Sequence, residues 1–300
     1  MIQSEAGGTA ARLALLPAIS RARGYRLYTA AGTRLLDLWQ YGGRAVLGHK
    51  PEGMIRELKN AAERGLFAPF PSPYAGRFIR ALSALFPGKH FRVYPGEAAL
   101  REDLAGAGFP RVPFPDSALP RHRNGPGILP VYWRPFADVP PGAVFVPVLP
   151  FPFTPSPAVL ALAPEEAARF FPGMGDAPGV YPLGTPAPVV LAPAIRAVYS
   201  LIASPARKIT AFPKIRRVLE HQTTAVWRRR GIYLSRTVAA DEDAWTALFR
   251  RFLAAGFLMP PERNAPLILP GVLSPGEEAG LAGFLADTDG DGAGKPAHTP

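Results

Sequence analysis

Gly24-Tyr-Arg-Leu-Tyr-Thr-Ala-Ala-Gly-Thr-Arg-Leu-Leu-Asp-Leu38 is the stretch of sequence that decides the fold. It contains two short runs of strand-favouring residues, 25–28 and 34–38, on either side of Gly32. Because glycine readily adopts the positive φ that a tight turn needs, these runs predict a β-hairpin. A loop that reads Gly48-His49-Lys50-Pro51 follows.

The other end of the chain predicts a helix, two short strands and a last helix. Phe252-Leu-Ala-Ala-Gly-Phe-Leu-Met-Pro-Pro261 ends a helix at Gly256 and continues into a strand. A second strand is expected at 267–269. Ser274-Pro-Gly-Glu277 is a capping box with proline in the first helical position, so a last helix begins there and runs to about Ala286.

Prolines dominate the middle of the chain and limit the length of its regular elements. Helical spacing predicts one long helix over Pro213–Arg229, where apolar residues recur every third or fourth position. Elsewhere the pattern predicts helices at 52–64, 73–86, 97–107, 164–171 and 194–202, and strands at 90–94, 129–133, 144–149 and 159–163.

Composition excludes several classes of function. The chain has no cysteine, which rules out disulfides, thiol catalysis and thiolate metal sites. Its 48% hydrophobic and 19% charged residues are typical of a globular protein. We expect a cytoplasmic protein, because Glu5 precedes the first positive charge and Pro17 interrupts the short apolar stretch, so the N-terminus does not match an export signal. The uncharged residues 139–164 carry eight prolines, which favours short strands over a membrane span.

Positive charge is concentrated in residues 207–236, which hold nine basic residues against Glu220 alone. Such a run is compatible with nucleic-acid binding. However, no aromatic residues interleave as stacking platforms and no nucleic-acid reading motif is present. A solvated helix face is therefore the favoured interpretation, and a basic scaffold that binds nucleic acid is the alternative.

Taken in order, these segments resemble class III aminotransferases, the pyridoxal-phosphate enzymes of fold type I. The resemblance rests on the hairpin, on the Gly48-His49 loop and on the closing segment around Ser274, and covers about half the chain. It implies an α/β protein whose small α+β domain is built from both chain ends around a reduced, proline-rich α/β domain. The expected limits are 1–50 and 211–287 for the small domain, 51–210 for the large-domain remnant and 288–300 for a flexible tail.

The resemblance also locates a cofactor site whose residues are altered in this chain. In the family, a Ser-Gly-Ser/Thr-Glu-Ala run at a helix N-terminus holds the phosphate of the cofactor. The matching residues are Tyr94-Pro-Gly96-Glu97-Ala98, so Gly96, Glu97 and Ala98 are vestigial phosphate-site positions without the hydroxyls. A strand that ends in Asp-Glu, whose aspartate would keep the pyridine nitrogen protonated, is absent between residues 90 and 210.

The family's Schiff-base lysine has only weak counterparts. Lys208 and Lys214 are the candidates, but neither precedes the glycine-rich turn that the family shows after this lysine. Solvated lysines at helix ends are the favoured interpretation of both. By resemblance, Trp39, Tyr41, Gly48 and His49 are candidate substrate-pocket residues, with core packing as the alternative. The five histidines lack metal-ligand spacing, so we predict no metal site.

Three hypotheses follow from the sequence. The first is an aminotransferase-like protein that neither binds nor uses pyridoxal phosphate and has a structural or binding role, forming a homodimer as the family does. The second is a shortened aminotransferase that uses Lys208 or Lys214 with pyridoxal phosphate. The third is a basic scaffold that binds nucleic acid through 207–236. The sequence does not identify a substrate or a small-molecule ligand.

Overall fold

The computed structural model describes residues 2–109, 112, 130–138, 144–173, 178–204, 212–221 and 226–290. This part of the chain forms helices and strands in mixed order. The helices are α1 (Ile2–Leu13), α2 (Met54–Glu63), α3 (Pro73–Leu85), α4 (Glu97–Gly106), α5 (Pro164–Phe170), α6 (Pro188–Ala203), α7 (Pro213–Glu220), α8 (Glu242–Ala254) and α9 (Pro275–Gly290). The strands are β1 (Ile19–Arg23), β2 (Arg26–Thr29), β3 (Arg34–Asp37), β4 (His90–Tyr94), β5 (Val131–Trp133), β6 (Phe145–Pro147), β7 (Ala158–Leu162), β8 (Gly179–Val180), β9 (Trp227–Arg230), β10 (Tyr233–Arg236), β11 (Phe257–Leu258) and β12 (Leu267–Ile268).

The chain divides into two compact units. The terminal unit comprises Met1–Gln40 and Ala206–Pro300, and the central unit comprises Tyr41–Pro205. The terminal unit is therefore built from both ends of the chain. The finer domain limits at residues 50, 210 and 287 rest on the family resemblance and stay predictions.

The first sheet of the terminal unit joins the two chain ends. Its strand order is β1-β2-β3-β11. The predicted hairpin is confirmed: β2 and β3 pair antiparallel, and Gly32 in their turn has φ 83°. Strand β11 lies parallel to β3, where Leu36 N donates to Gly256 O at 2.9 Å and Leu38 N donates to Leu258 O at 2.8 Å.

The second sheet of the terminal unit corrects one prediction. Its strand order is β12-β10-β9, so the stretch around Trp227 is a strand and the predicted helix over Pro213–Arg229 is wrong. Helix α7 ends at Glu220, and β9 pairs antiparallel with β10 across a turn in which Gly231 has φ 60°. Because Trp227 is buried and Arg228 is exposed, this segment has the alternation of a strand.

Two of the terminal unit's helices are fixed by buried charge and by capping. The guanidinium of Arg12 in α1 is 1% exposed and donates to Pro261 O at 2.6 Å and to Glu242 Oε1 in α8 at 2.5 Å. The predicted capping box of α9 is confirmed, because Ser274 Oγ accepts from Glu277 N and Glu277 Oε2 accepts from Ser274 N. Helix α9 continues to Gly290, so the first three residues of the predicted tail are helical.

The central unit contains a sheet with the strand order β5-β6-β7-β4-β8. The described residues contribute five strands to this sheet. Helices α4 and α5 pack against this sheet, and the core between them contains buried residues from the helices and from the strands. The core members are Tyr94, Leu100, Leu104, Val144, Val146, Ala158, Leu160, Leu162 and Ala167. This packing fixes the position of the first turn of α4 at the end of β4.

Helices α2, α3 and α6 pack together in the central unit. Helix α3 begins at Pro73 as predicted, but Ser72 makes no side-chain capping hydrogen bond. Helix α6 begins six residues before the predicted start at 194 and contains Pro193. Proline is unfavourable inside a helix, which is why the pattern placed the start too late.

The described part of the apolar, proline-rich stretch, residues 144–164, contains two strands. Its described residues include β6 and β7, as the proline content predicts. Across the part of the chain that the structure covers, no helix has both the length and the apolar character needed to cross a membrane.

One ion pair of the terminal unit gives a pH-dependent contribution to stability. Arg26 donates to Glu277 through Nε at 2.8 Å and Nη2 at 2.5 Å, and the carboxyl side chain is 10% exposed. The hydrogen bonds from Arg26 lower the pKa of Glu277 to about 2. The stabilisation is therefore present above the unfolded-state pKa of 4.5 and is lost as the pH falls towards 2.

We predict that Glu277→Gln lowers the free energy of unfolding by about 1–2 kcal/mol at pH 7. The difference from wild type shrinks between pH 4.5 and 2, because in that range Glu277 takes up a proton in the unfolded chain while it stays ionised in the folded one until the pH nears 2. Urea unfolding followed by circular dichroism measures both values. Asp287→Asn, at an exposed position of α9, is the control and has little effect at either pH. A Glu277→Gln effect that is equally large at pH 2 contradicts the assignment.

Candidate functional site

Four strands of the central sheet end at the same edge. Strand β8 is parallel to β4, and β5 is parallel to β6. Strand β7 lies antiparallel to both β4 and β6, so β4, β5, β6 and β8 share one direction. Ligands of α/β proteins bind at the carboxyl edge of such strands, which makes this edge the candidate functional site.

The first turn of α4 lies at this edge, directly after β4. Gly96 precedes the helix in an extended conformation, with φ −175°, and makes no side-chain cap. Glu97 is the first helical residue, as predicted. Pro95, just before Gly96, has no backbone N–H to offer. The vestigial positions Gly96, Glu97 and Ala98 are therefore at a strand-to-helix junction, the place where the family resemblance expects the phosphate site.

The carboxylate of Glu97 collects three hydrogen bonds. Tyr132 in β5 donates through its hydroxyl to Oε1 at 2.7 Å. Arg101, one turn further along α4, donates to the same oxygen at 2.6 Å. Arg44 donates to Oε2 at 3.1 Å. Glu97 thus connects the end of β5, the first turn of α4 and the segment that enters the central unit.

This network shifts the pKa values of its members in opposite directions. Burial raises the pKa of Glu97, but hydrogen bonds from Tyr132 and Arg101 and the nearby positive charges outweigh it, so the pKa is lowered. Burial, together with the charge and the hydrogen bond of Glu97, raises the pKa of Tyr132 to about 12. At neutral pH the site holds an ionised carboxylate and a neutral phenol.

The connection between β6 and β7 reaches the same group of side chains. Arg44 donates through Nη1 to Ser156 Oγ at 3.2 Å. The hydroxyls of Tyr41 and Thr154 lie 3.1 Å apart, within hydrogen-bonding distance. The guanidinium of Arg44 also lies 5.9 Å from the centre of the Tyr41 ring. Hydroxyls from separate segments therefore converge at this edge beside Arg44, whose charge the Glu97 carboxylate neutralises.

The backbone before this cluster is strained. Gln40 and Tyr41 have φ 47° and 50°, a left-handed conformation that costs non-glycine residues about 1–2 kcal/mol each. The Asp37 carboxylate accepts from Gln40 N at 2.8 Å, and Gln40 Nε2 donates to Ile268 O at 2.9 Å. Such strain is found most often at functional sites.

The four candidate substrate-pocket residues are divided between the two units. Trp39 belongs to the terminal unit, whereas Tyr41, Gly48 and His49 belong to the central unit. Tyr41 is brought to Thr154 at the sheet edge. Gly48 is buried with φ 86°, and His49 is partly buried. A role for these residues in binding a substrate stays a prediction.

Of the two candidate lysines, the structure describes Lys214. Lys208 is outside the described residues. Lys214 is in the first turn of α7, in the terminal unit, where its Nζ donates to Pro275 O at 2.9 Å. Its backbone N–H donates to Glu278 Oε1 at 2.7 Å. Lys214 therefore links α7 to the start of α9.

The strand geometry places the arginines of the basic segment 207–236 that lie in β9 on two different faces. In β9, Arg228 and Arg230 project from one face, while Arg229 projects from the other, where its guanidinium lies 5.0 Å from the Phe212 ring. Residues 207–211 and 222–225 are outside the described part. Nucleic-acid binding through 207–236 stays a prediction.

Sequence reasoning missed most of the Glu97 network. Arg44 and Tyr132 are 53 and 35 residues away from Glu97 along the chain. Of the three partners, only Arg101 could have been paired with Glu97 from the sequence, because it is four residues later on the same helix. Among the described residues, no group of three or more His, Cys, Asp or Glu side chains could hold a metal ion.

Comparisons of the sequence give relatives that are themselves uncharacterized. No family model matches the chain. An uncharacterized protein of Treponema pallidum is 29% identical over 285 residues, which cover 84% of this chain and 88% of that protein. An uncharacterized protein of Borreliella burgdorferi is 42% identical over 71 residues, 24% of this chain and 26% of that protein.

Solved structures similar to this chain are aminotransferases. Ornithine aminotransferase of Plasmodium yoelii superposes with a TM-score of 0.62 at 13% identity, over 92% of this chain and 94% of that chain. The fold is that of the fold type I aminotransferases. An omega-transaminase of Thermomicrobium roseum gives 0.61 at 17%, over 93% of each chain. Acetylornithine aminotransferase of Elizabethkingia anophelis gives 0.61 at 12%, over 92% and 94%.

These likenesses confirm the resemblance to class III aminotransferases at the level of the fold. At 12–17% identity they show the fold alone. Whether this chain performs the family's chemistry depends on its own residues at the sheet edge.

The residues at the edge do not fit pyridoxal phosphate. In the family the lysine follows a strand and the aspartate lies at the end of one, so the last residue of each of the four strands and the two residues after it are the positions to compare. Neither lysine nor aspartate is among them; they are Tyr94, Pro95 and Gly96 at β4, Trp133, Arg134 and Pro135 at β5, Pro147, Val148 and Leu149 at β6, and Val180, Tyr181 and Pro182 at β8. The first turn of α4 keeps the family's glutamate as Glu97, but the hydroxyls of the family's run are missing and Pro95 offers no backbone N–H.

We predict that Tyr132→Phe lowers the free energy of unfolding by about 1–2 kcal/mol, because the partly buried Glu97 carboxylate loses one donor. Tyr199→Phe removes the same hydroxyl from a tyrosine that is 44% exposed in the same unit and serves as the control. Urea unfolding at pH 7 measures the two values. Equal effects of the two substitutions would show that the Tyr132 hydrogen bond contributes nothing.

Proposed function

We propose that this chain is an aminotransferase-like protein that has lost pyridoxal-phosphate catalysis and acts as a structural or binding protein. The observation that carries the proposal is the composition of the carboxyl edge of the central sheet. None of the residues directly after the four strands that end there is a lysine that could form an aldimine or an acid that could keep a pyridine nitrogen protonated. The fold has been kept, while its catalytic groups have changed.

The side chains at this edge support a binding or structural role. Arg44 is 22% exposed and Glu97 is 35% exposed, so both are held in place and both still reach solvent. Hydroxyls of Tyr41, Thr154 and Ser156 surround them. The Ser156 hydroxyl donates to Pro157 O at 3.3 Å and accepts from Arg44. A peptide carbonyl and a guanidinium cannot remove its proton, so these contacts do not activate the serine as a nucleophile.

The enzyme hypothesis remains the alternative because the fold itself belongs to aminotransferases. It requires Lys208 or Lys214 to reach a cofactor. Lys214 contacts α9 within the terminal unit, which argues against it. Lys208 is the stronger of the two candidates for a direct test.

A homodimer is part of the proposal. Phe67 and Phe70, in the connection between α2 and α3, are 63% and 57% exposed. Contiguous exposed aromatic side chains mark interaction surfaces, and these two are three residues apart in the sequence. A second copy of the chain is the partner that the family resemblance implies. A cytoplasmic location stays a prediction from the sequence.

We predict that the purified protein, mixed with an equimolar amount of pyridoxal phosphate, develops no protein-bound absorbance band in the near ultraviolet or visible. Borohydride treatment followed by peptide mass spectrometry then finds no lysine labelled above the level of Lys59, an exposed lysine that reports non-specific reaction. Lys208→Ala and Lys214→Ala behave as wild type. A band that borohydride or Lys208→Ala abolishes establishes the enzyme hypothesis instead.

We also predict that Phe67→Asp combined with Phe70→Asp converts a dimer into a monomer, because burying two carboxylates in an interface is unfavourable. Light scattering during size-exclusion chromatography measures the mass. Val238→Asp, at an exposed residue of the terminal unit, is the control and leaves the mass unchanged. A wild-type protein that is monomeric at micromolar concentration contradicts the dimer.

A further inference from the structure

Arg44 is a side chain that connects separate segments at the sheet edge. Its Nη2 binds Glu97 in α4, at 3.1 Å, and its Nη1 binds Ser156 in the β6–β7 connection, at 3.2 Å. These partners are 53 and 112 residues away along the chain. A second tie, between the hydroxyls of Tyr41 and Thr154, joins the segment around Arg44 to the same connection.

The environment makes the Arg44–Glu97 pair stronger than an ordinary surface ion pair. Exposed pairs contribute little, because water and salt screen them. Here both side chains are partly buried, and hydrogen bonds from Tyr132 and Arg101 hold the carboxylate in one place. A charge-assisted hydrogen bond in such a setting contributes more than a neutral one.

The second arginine on Glu97 has a different role. Arg101 is 69% exposed and lies on the same helix, four residues after Glu97. Its ion pair with Glu97 therefore lies within α4. The two arginines offer an internal comparison, since both neutralise one carboxylate and the Arg44 pair is the one that spans separate segments.

We propose that Arg44 and Glu97 form a clasp that holds residues 41–48 and the β6–β7 connection to the first turn of α4. The clasp gives the carboxyl edge its order through contacts within the chain. In a fold whose relatives are cofactor enzymes, a bound group stabilises the state that binds it. The inference rests on the proposed function, because a chain that does not bind pyridoxal phosphate has to order this edge in another way.

Hydrogen exchange of the full-length protein, read by mass spectrometry of its peptides, tests the clasp. Arg44→Gln and Glu97→Gln are each expected to speed exchange in 41–48 and 148–157 about tenfold. The double variant is expected to speed exchange by less than the product of the two single effects, because both single variants lose the same Arg44–Glu97 contact. Arg101→Gln, the matched control, stays within about twofold of wild type in both segments.

Three outcomes overturn the clasp. The first is unchanged exchange in 41–48 and 148–157 in Arg44→Gln. The second is an Arg101→Gln effect as large as that of Arg44→Gln. Acceleration that is equally large in α3 and α6 signals unfolding of the whole unit, and Arg44→Lys, which keeps the charge but not the two-pronged contact, is then measured instead. The third overturning outcome is wild-type exchange in 41–48 and 148–157 in Arg44→Lys.

The same experiment separates the clasp from the proposed function. Wild-type protein is measured a second time with pyridoxal phosphate added. Slower exchange at the edge on addition, with the expected effects of the substitutions, contradicts the proposed function and leaves the clasp standing. Unchanged exchange on addition, with no effect of the substitutions, contradicts the clasp and leaves the proposed function standing.

Discussion

The parallel pairing of β3 with β11 is the contact on which the architecture depends. Two backbone hydrogen bonds, from Leu36 to Gly256 and from Leu38 to Leu258, join residues from the two ends of the chain. Closing so long a loop is unfavourable in entropy, and the pairing is reinforced by a further bond from Ile268 N to Leu38 O at 2.7 Å. Both ends of the chain thereby become one unit, and the residues between them fold as another.

In the central unit, different residues build the core and occupy the candidate site. Packing of Leu100 and Leu104 against the sheet fixes α4 whatever group its first turn contacts. Arg44 and Glu97 at the carboxyl edge are not part of this core, so these positions can change without loss of its packing. Here the edge carries Arg44, Glu97 and Tyr132 in a hydrogen-bonded network. We therefore attribute the resemblance in fold to the core and the proposed loss of catalysis to the edge.

Local signals in the sequence were sufficient for much of the fold. The turn at Gly32, the capping box at Ser274 and the start of α4 at Glu97 depend on neighbouring residues, and the structure confirms them. The segment around Trp227 was predicted wrongly as helix, because apolar residues of α7 and β9 together mimic helical spacing. The turn at Gly231, which allows β9 to pair with β10, carries the decisive information.

For the candidate site, the sequence indicates the position in the chain but not the residues that meet there. The strand-to-helix junction at Gly96 follows from the pattern, whereas no local rule relates Arg44 to partners 53 and 112 positions away.

A crystal structure of the protein grown with excess pyridoxal phosphate tests the central claim most directly. Our account predicts that Arg44 still contacts Glu97 and that no electron density for the cofactor lies at the first turn of α4 or continues into a lysine side chain. Density for a pyridoxal ring joined to Lys208 or Lys214, with its phosphate at Gly96, would contradict the account.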